Sequence, residues 1–306
     1  MAQDTRMLTL FLMTEKGYRF LVETTAKYGS LFDLVVVGSD GSLRKDHADE
    51  IIAFCAGHQL RWVRRADFGK VETPYALAVS WRWLIEHPAQ RLIVFHDSLL
   101  PRYRGFSPLV NALINGESEV GVSAIFGASD FDTGPIIAQS RTAVRYPLRI
   151  ADAIQAINAN YLACAETVLQ ALLDGAPLEA TPQDERQATY SVWRDEQDYR
   201  IDWSKSSTEI RRFIDAVGYP YRGAATMFDG KLVRILAAEE APDVVVENRD
   251  CGKALFVVDG KPVIICGEGM LKVTEAQIEE GGQLLPFFPQ TRFRIRFTGG
   301  SRETGS

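Results

Sequence analysis

The chain has 306 residues, of which 46% are hydrophobic and 24% charged, as in globular proteins large enough for two domains. Its formal net charge of −6 disfavours a polyanionic partner such as nucleic acid. Its four cysteines lie far apart without a Cys-x-x-Cys pair, which argues against a disulfide framework or a cysteine-rich zinc site. No segment has the roughly 18 to 20 consecutive apolar residues of a membrane-spanning helix, and the N-terminus lacks the features of a secretory signal. We therefore expect a soluble, cytoplasmic protein that does not engage a membrane.

Strand-length apolar runs alternate with helical periods through the first half of the chain, which predicts an α/β fold with a mainly parallel sheet and helices on both faces. The predicted strands are Met7–Met13, Leu34–Val37, Tyr75–Ser80, Arg91–Phe95, Val120–Phe126 and Pro135–Gln139. The predicted helices lie near Tyr18–Tyr28, Asp46–Ala56, Pro108–Ile114 and Ala151–Leu173.

A polar stretch then separates this region from a second pattern. Residues 176–205 contain prolines and many charged or small residues and are typical of a linker. One short helix near Thr208–Val217 and several short β segments follow, with hairpin signals at Asp229-Gly230 and Asp259-Gly260. We expect a catalytic domain at 1–175, a small β-barrel-like domain at 206–297 and a tail at 298–306.

Two loops concentrate the residues that can carry chemistry. The first begins at His96, directly after the predicted strand Arg91–Phe95, and runs to Pro108 with two arginines, two serines and two prolines. The second spans Asp130–Ile136 and contains Asp132 and Gly134 in a tight turn. Ligands of open α/β sheets bind near the carboxyl ends of strands, so we expect both loops to face one crevice.

These segments resemble the family of formyltransferases that use N10-formyltetrahydrofolate. The resemblance rests on the sequences of residues 96–105, 115–117, 120–122 and 132–136, in that order and spacing. It implies a Rossmann-like sheet over most of residues 1–175. Residues 201–203 and 218–224 look like the segments that open the small C-terminal β-domain of methionyl-tRNA and nucleotide-sugar formyltransferases.

The resemblance also implies roles for two residues. His96 is expected to hydrogen-bond the formyl oxygen, and Asp132 to accept the proton of the attacking amine, directly or through water. The family usually has an asparagine two residues before the histidine, whereas this chain has Val94. Three explanations stay open: Ser98 or Asn111 substitutes for the asparagine, the reaction differs, or the domain binds folate without turnover.

The remaining candidates bind the two substrates. The formyl donor, N10-formyltetrahydrofolate, is assigned to the loop before the histidine strand and to positions beside the catalytic pair: Trp81, Arg82, Trp83, Leu84, Val94 and Gly134. The paired tryptophans offer flat apolar surface, although the same residues also suit a role in the core and at its rim. The acceptor is assigned to Ser98, Arg102, Tyr103 and Arg104, whose two arginines are either anion anchors or surface charges.

Charge separates the possible acceptors. Residues 203–306 contain 14 Lys plus Arg against 14 Asp plus Glu, whereas a tRNA-binding enzyme needs a basic surface. We therefore favour a small amine, such as a nucleotide-linked amino sugar or a hydroxyornithine, over methionyl-tRNA or a noncatalytic folate-binding role. The other three histidines lack metal-ligand spacing, so no metal is expected. The small β-domain is consistent with a homodimer or with acceptor contacts.

Overall fold

The computed structural model describes residues 6–41, 43, 45–287 and 294–299. These residues form two compact units. The first runs up to Leu109 and adds Ser118–Val144 and Asp152–Val192. The second comprises Val110–Glu117, Arg145–Ala151 and the described residues from Trp193 onward.

The strands and helices are as follows. The strands are β1 (Leu8–Leu12), β2 (Phe32–Val37), β3 (Trp62–Arg64), β4 (Tyr75–Val79), β5 (Leu92–His96), β6 (Arg104–Gly105), β7 (Glu119–Phe126), β8 (Ile136–Ala143), β9 (Tyr190–Ser191), β10 (Ala224–Phe228), β11 (Lys231–Ala241), β12 (Ala254–Val258), β13 (Lys261–Ile265), β14 (Met270–Glu280) and β15 (Gln283–Pro286). The α-helices are α1 (Thr14–Tyr28), α2 (Ala48–Gly57), α3 (Pro108–Asn115), α4 (Ile150–Leu173) and α5 (Ser207–Ala216). Short 3₁₀ turns lie at Gly29–Leu31, Arg65–Asp67, Ala89–Arg91, Glu185–Gln187 and Gln197–Tyr199.

The first unit is built on a seven-stranded sheet in the described part of the chain, with the order β3-β2-β1-β4-β5-β7-β8. The strands from β3 to β5 are parallel, whereas β7 is antiparallel to both β5 and β8. Such a sheet needs helical crossovers, which explains the alternation of strand and helix in the sequence. The predicted α/β fold with a mainly parallel sheet is confirmed.

β5 lies in the interior of this sheet, and its side chains alternate between two faces. The ring of Phe95 contacts Phe20 of α1, with 5.4 Å between ring centroids, and Tyr161 of α4, with 5.8 Å. Val94 and His96 therefore share the opposite face. That face carries a buried cluster and the side chains packed on it: Phe11, Val36, Ala76 and Ala78, covered by residues that include Phe68, Val71 and Trp81.

The second unit contains a six-stranded antiparallel sheet in its described residues, with the order β10-β11-β14-β13-β12 and β15 beside β14. Isolated bridges join Arg296 to Lys253, next to β12, and Thr298 to Met227 of β10. Because these partners lie at the two ends of the strand order, the bridges bring the edges of the sheet together, as in a barrel. The predicted small β-domain is confirmed.

The polar segment at 176–205 is divided between the units after Val192. Its first part contains β9, which pairs with β6 of the first unit. Each helix of the described residues is too short or too polar to span a bilayer. Most of the tail expected at 298–306 lies outside the described residues, and the domain boundaries at 175 and 206 stay a prediction.

Candidate active site

His96 is the last residue of β5 and is only 7% exposed. Its Nε2 atom lies 2.8 Å from the backbone carbonyl oxygen of Tyr103. Because a carbonyl oxygen can only accept, Nε2 carries a hydrogen and donates it. The Nδ1 atom is therefore the ring nitrogen left for chemistry, and it lies 3.5 Å from Oδ2 of Asp132. The two predicted catalytic side chains are brought together.

The loop that carries Asp132 and the residue His96 start from opposite ends of β5. β7 is antiparallel to β5, so the loop that follows β7 leaves the sheet beside Leu92, where the Gly127 N–H donates to the Leu92 carbonyl at 2.7 Å. Leu92, Val94 and His96 share one face of β5 because side chains alternate along a strand. The Asp132 loop thus starts beside Leu92 and reaches the His96 ring, and Val94 lies between these two residues on the same face of β5.

The carboxylate of Asp132 is held by the backbone. Its Oδ2 atom accepts a hydrogen bond from the Gly105 N–H at 2.8 Å, and its side chain is 15% exposed. Asp132 has a φ of 56°, in the left-handed region that costs a non-glycine residue energy. Tyr103 and Ser107, in the facing loop, also have positive φ values of 61° and 50°. Such conformations persist only where surrounding contacts enforce them, and they are frequent at functional sites.

Arg104, predicted to bind the acceptor, has its guanidinium turned into the protein. The side chain is fully buried, and its N–H groups donate to Glu185 at 2.7 and 2.8 Å, to Gln183 at 2.9 and 3.1 Å and to the Tyr190 hydroxyl at 3.4 Å. Guanidinium has five N–H donors, and all five are used. The Glu185 carboxylate raises the pKa of Arg104, which keeps its charge. The guanidinium therefore braces the site and cannot contact an acceptor.

The hydrogen bonds that hold Arg104 and the Asp132 loop involve residues that the sequence did not point to. The side-chain amide of Gln183 donates to the carbonyl oxygens of Asp132, at 2.7 Å, and Gly134, at 2.8 Å. β9 pairs with β6, and the Thr189 hydroxyl accepts from the Tyr103 N–H at 2.9 Å. The segment expected to be a linker thus fixes both loops of the site. The polar composition of residues 176–205 does not predict this role, because solvent-exposed linkers have a similar composition.

Gly134 allows the Asp132 loop to pack on β7. A Cβ atom at this position would lie 1.8 Å from the carbonyl oxygen of Phe126. Replacing Gly134 with alanine is therefore expected to displace the loop, lower the free energy of unfolding by about 1–3 kcal/mol and reduce turnover. Thermal or urea unfolding together with a formyl-transfer assay measures both effects.

The matched control is Gly57→Ala, at the end of α2, where an added Cβ meets nothing within 4 Å. Alanine is the better helix former, so this variant should be as stable as the parent protein or more so. Equal stability and turnover of the two variants would show that the loop tolerates movement.

Ser98, predicted to bind the acceptor, is turned into the protein. It is 4% exposed, and its hydroxyl donates to the Arg102 carbonyl at 2.7 Å, which leaves no hydrogen for an oxyanion. The Ser123 hydroxyl supports the same turn: it donates to the Ser98 carbonyl at 2.7 Å and accepts from the Leu100 N–H at 3.2 Å. Ser98 is therefore a turn-stabilising residue and does not replace the missing asparagine as a donor.

Arg102 and Tyr103 stay candidates for contact with an acceptor. The Arg102 side chain is exposed, and its guanidinium lies 5.2 Å from the centroid of the Tyr103 ring. Asn111, the other proposed substitute for the asparagine, accepts a hydrogen bond from Arg194 at 2.6 Å through its amide oxygen. Val94 itself has Ala78 and Ile125 as its register partners, so its neighbours on both adjacent strands are aliphatic.

Asp97, the residue after His96, is a buried carboxylate with two partners. Its oxygens accept hydrogen bonds from Lys16 of α1 and from the hydroxyl of Tyr161 of α4. Burial, followed by the nearby Asp97 charge, raises the pKa of Tyr161 well above its usual range, so the hydroxyl keeps its proton. Tyr161 also stacks on Phe95. Both chain neighbours of His96 are thus fixed to one tyrosine.

The loop assigned to the donor follows β4. Trp81 and Trp83 pack edge to face, with centroids 5.0 Å apart, and both rings cover Gly38, where a Cβ would lie 2.8 Å from Trp81. The guanidiniums of Arg65 and Arg82 lie 4.1 and 5.0 Å from the Trp83 ring. The tryptophan rings therefore pack with protein groups, as expected for a core-and-rim role.

Other features of this loop fit a pterin. Among the described residues, the Trp81 indole nitrogen is buried without a hydrogen-bond partner. Residues 81–87 lie outside every described strand and helix, so their backbone groups belong to no ladder. Leu84 is 88% exposed. Because unpaired buried polar groups are costly, the Trp81 indole nitrogen and the backbone groups of residues 81–87 are candidates to pair with a polar heterocycle.

Two family models match this chain. The model described as formyl transferase matches residues 75–165, which include β4, His96 and Asp132. The model described as formyl transferase, C-terminal domain, matches residues 194–285. The chain belongs to the formyltransferase family. The predicted family is therefore confirmed.

Individual formyltransferases extend the comparison. A methionyl-tRNA formyltransferase from Dechloromonas aromatica is 33% identical to this chain over 204 residues. The match covers 66% of this chain and 63% of the relative, so the chain spans less than two thirds of the relative's length. Among solved structures, an N-formyltransferase from Helicobacter canadensis, in complex with folinic acid and dTDP-3-aminofucose, has a TM-score of 0.65 at 15% identity. That match covers 87% of this chain and 98% of the other. HypX from Aquifex aeolicus with tetrahydrofolic acid has a TM-score of 0.62 at 18% identity, covering 92% of this chain and 46% of HypX. At these identities, the structures show a shared fold.

Proposed function

We propose that this protein transfers a formyl group from N10-formyltetrahydrofolate to the amine of a small metabolite. The observation that carries the proposal is the meeting of His96 and Asp132, with 3.5 Å between Nδ1 and Oδ2, inside two loops of the formyltransferase pattern. The unpaired indole nitrogen of Trp81 supports a site for the donor beside β5. When bound, the folate carrier supplies the activated formyl group.

The protein's own groups then divide the work of the transfer. As the amine nitrogen bonds the formyl carbon, Asp132 accepts the proton that the amine loses, and that proton passes to the carrier nitrogen whose bond to the formyl carbon breaks. The Gly105 N–H stabilises the negative charge on the Asp132 carboxylate. The Nε2 hydrogen of His96 is held by the Tyr103 carbonyl, so the ring acts on the substrate through Nδ1. In the imidazolium form, Nδ1–H donates to the oxygen on which negative charge develops. Asp132 stabilises that imidazolium.

A small acceptor is favoured by charge and by shape. The acidic chain and the balanced charge of residues 203–306 provide no general attraction for a polyanion. The sugar N-formyltransferase WlaRD has a TM-score of 0.65, and the match covers 88% of this chain and 98% of that enzyme. A nucleotide-linked amino sugar and a hydroxylated amino acid are the acceptor classes that we propose to test first.

Methionyl-tRNA is the second candidate acceptor. It is favoured by the curated relatives, several of which are methionyl-tRNA formyltransferases 29–33% identical to this chain. A tRNA acceptor predicts strong salt dependence, because each neutralised phosphate releases counterions. A rate that is nearly constant between about 50 and 200 mM salt would reject this candidate.

Mass spectrometry tests the proposed function directly. The protein is incubated with N10-formyltetrahydrofolate and a pooled panel of nucleotide amino sugars, amino acids, hydroxyornithine and initiator methionyl-tRNA. We expect one formylated product, which disappears with His96→Ala and persists with His58→Ala, a control at an exposed histidine that follows α2. The product identifies the acceptor class. Binding of the folate without any formylated product across the panel would favour the noncatalytic alternative.

A further inference from the structure

Two exposed phenylalanines, Phe106 and Phe131, form a pair at the candidate site. Phe131 is 72% exposed and Phe106 is 37% exposed. Their rings lie 5.8 Å apart between centroids and are tilted by 55°. Exposing aromatic surface to water costs free energy that folding normally recovers by burial. The pair therefore presents apolar, planar surface where packing alone does not require it.

The backbone fixes this pair beside the catalytic carboxylate. Phe131 precedes Asp132, Phe106 follows Gly105, and the Gly105 N–H donates to the Asp132 carboxylate at 2.8 Å. The Phe106 N–H also donates to the Ser191 carbonyl at 3.1 Å. Both rings are consequently attached one residue away from the bond that joins the two loops. A molecule that touches both rings has its other end within reach of Asp132.

The strand order separates this pair from the donor loop. Trp81 and Trp83 follow β4 and pack over Gly38, which follows β2. Phe131 belongs to the connection between β7 and β8, on the other side of β5. His96 ends β5, between the two groups. An amine must approach the formyl carbon from a direction that the carrier does not occupy, and the side of β7 and β8 is available for this approach.

We propose that Phe106 and Phe131 are specificity-determining residues that hold a planar, unsaturated ring of the acceptor. This inference rests on the proposed formyl transfer, and it narrows the acceptor to amines whose carrier bears such a ring. Two tilted rings favour a flat partner that stacks on one ring and meets the edge of the other. A saturated ring of the same size buries similar area but lacks this geometry.

Binding of two matched amines tests the inference without relying on turnover. The probes are phenethylamine and 2-cyclohexylethylamine, which share the amine and chain length and differ in ring planarity. Their dissociation constants are measured by NMR titration of the full-length protein, the two variants Phe106→Leu and Phe131→Leu, and Phe256→Leu as control. Phe256 is a 46% exposed phenylalanine on β12 of the second unit. Circular dichroism verifies that each variant is folded.

We expect the parent protein and Phe256→Leu to bind phenethylamine more tightly than the saturated probe. Phe106→Leu and Phe131→Leu should each weaken phenethylamine binding about threefold to tenfold and leave the binding of tetrahydrofolate unchanged. The inference is overturned if phenethylamine does not bind, if both probes bind equally, or if the variants weaken tetrahydrofolate binding instead. A planar-ring preference in a protein that formylates no amine would leave the ring site intact and reject the proposed function.

Discussion

Replacing Asp132 with asparagine is expected to lower kcat for formyl transfer by about 10²- to 10⁴-fold, the usual contribution of a general base. Asparagine has the same shape, and its amide oxygen can still accept the Gly105 N–H. The variant therefore keeps the loop in place, and it removes both the ability to accept a proton and the negative charge that stabilises the His96 imidazolium. Steady-state kinetics with both substrates varied should show a large fall in kcat and a smaller change in either KM.

Asp130→Asn is the control for this experiment. Asp130 is exposed, lies in the same loop and carries the same charge as Asp132, but its described contact is through its backbone carbonyl, which accepts from Thr133. Its kcat should stay within about twofold of the parent value, as expected for an exposed residue away from the reaction. If the Asp132 variant also retains nearly full kcat, then Asp132 serves to order the loop and another group accepts the proton.

The sequence predicted the elements that have strong periodic signals. β5 is an apolar, largely buried strand and α4 is an amphipathic helix, and the predicted bounds of both agree with the structure within one residue. β3 was missed because it has three residues at the edge of the sheet and largely exposed side chains, so no alternation marks it. β6 and β9 have only two residues each and exist through their pairing with one another. Such elements depend on tertiary contacts that local sequence cannot reveal.

The candidate site shows the same division. The motif located His96 and Asp132, and the structure brings them together. It could not show which of the neighbouring arginines is buried: Arg102 is exposed, whereas Arg104 is enclosed by Gln183 and Glu185, about 80 residues later in the chain. Long-range hydrogen bonds of this kind leave no mark on composition or periodicity. The role of Arg104 therefore had to come from the structure.

Replacing Val94 with asparagine is expected to raise kcat by about tenfold or more. Val94 lies two residues before His96 on the same face of β5, and its flanking register partners Ala78 and Ile125 are aliphatic. An asparagine there would supply an N–H donor where the family pattern has one. Removing such a donor costs other enzymes about 10²- to 10³-fold in kcat, so a gain is expected if its absence limits this protein. The gain should be smaller than that loss, because these neighbours are shaped around an aliphatic side chain.

Val94→Leu is the matched control, since it changes the side chain without adding a donor, and its kcat should not rise. Single-turnover formyl transfer measures the chemical step for all three proteins, and urea unfolding measures the cost of the polar group, about 1–3 kcal/mol if its amide lacks a partner.

A rate gain confined to asparagine means that the parent site works with an incomplete set of donors. An unchanged rate, in a protein that transfers formyl groups, means that the His96 ring or a backbone N–H already stabilises the oxyanion. In that case the apolar Val94 side chain keeps water away from the formyl carbon, which favours transfer to the amine over hydrolysis.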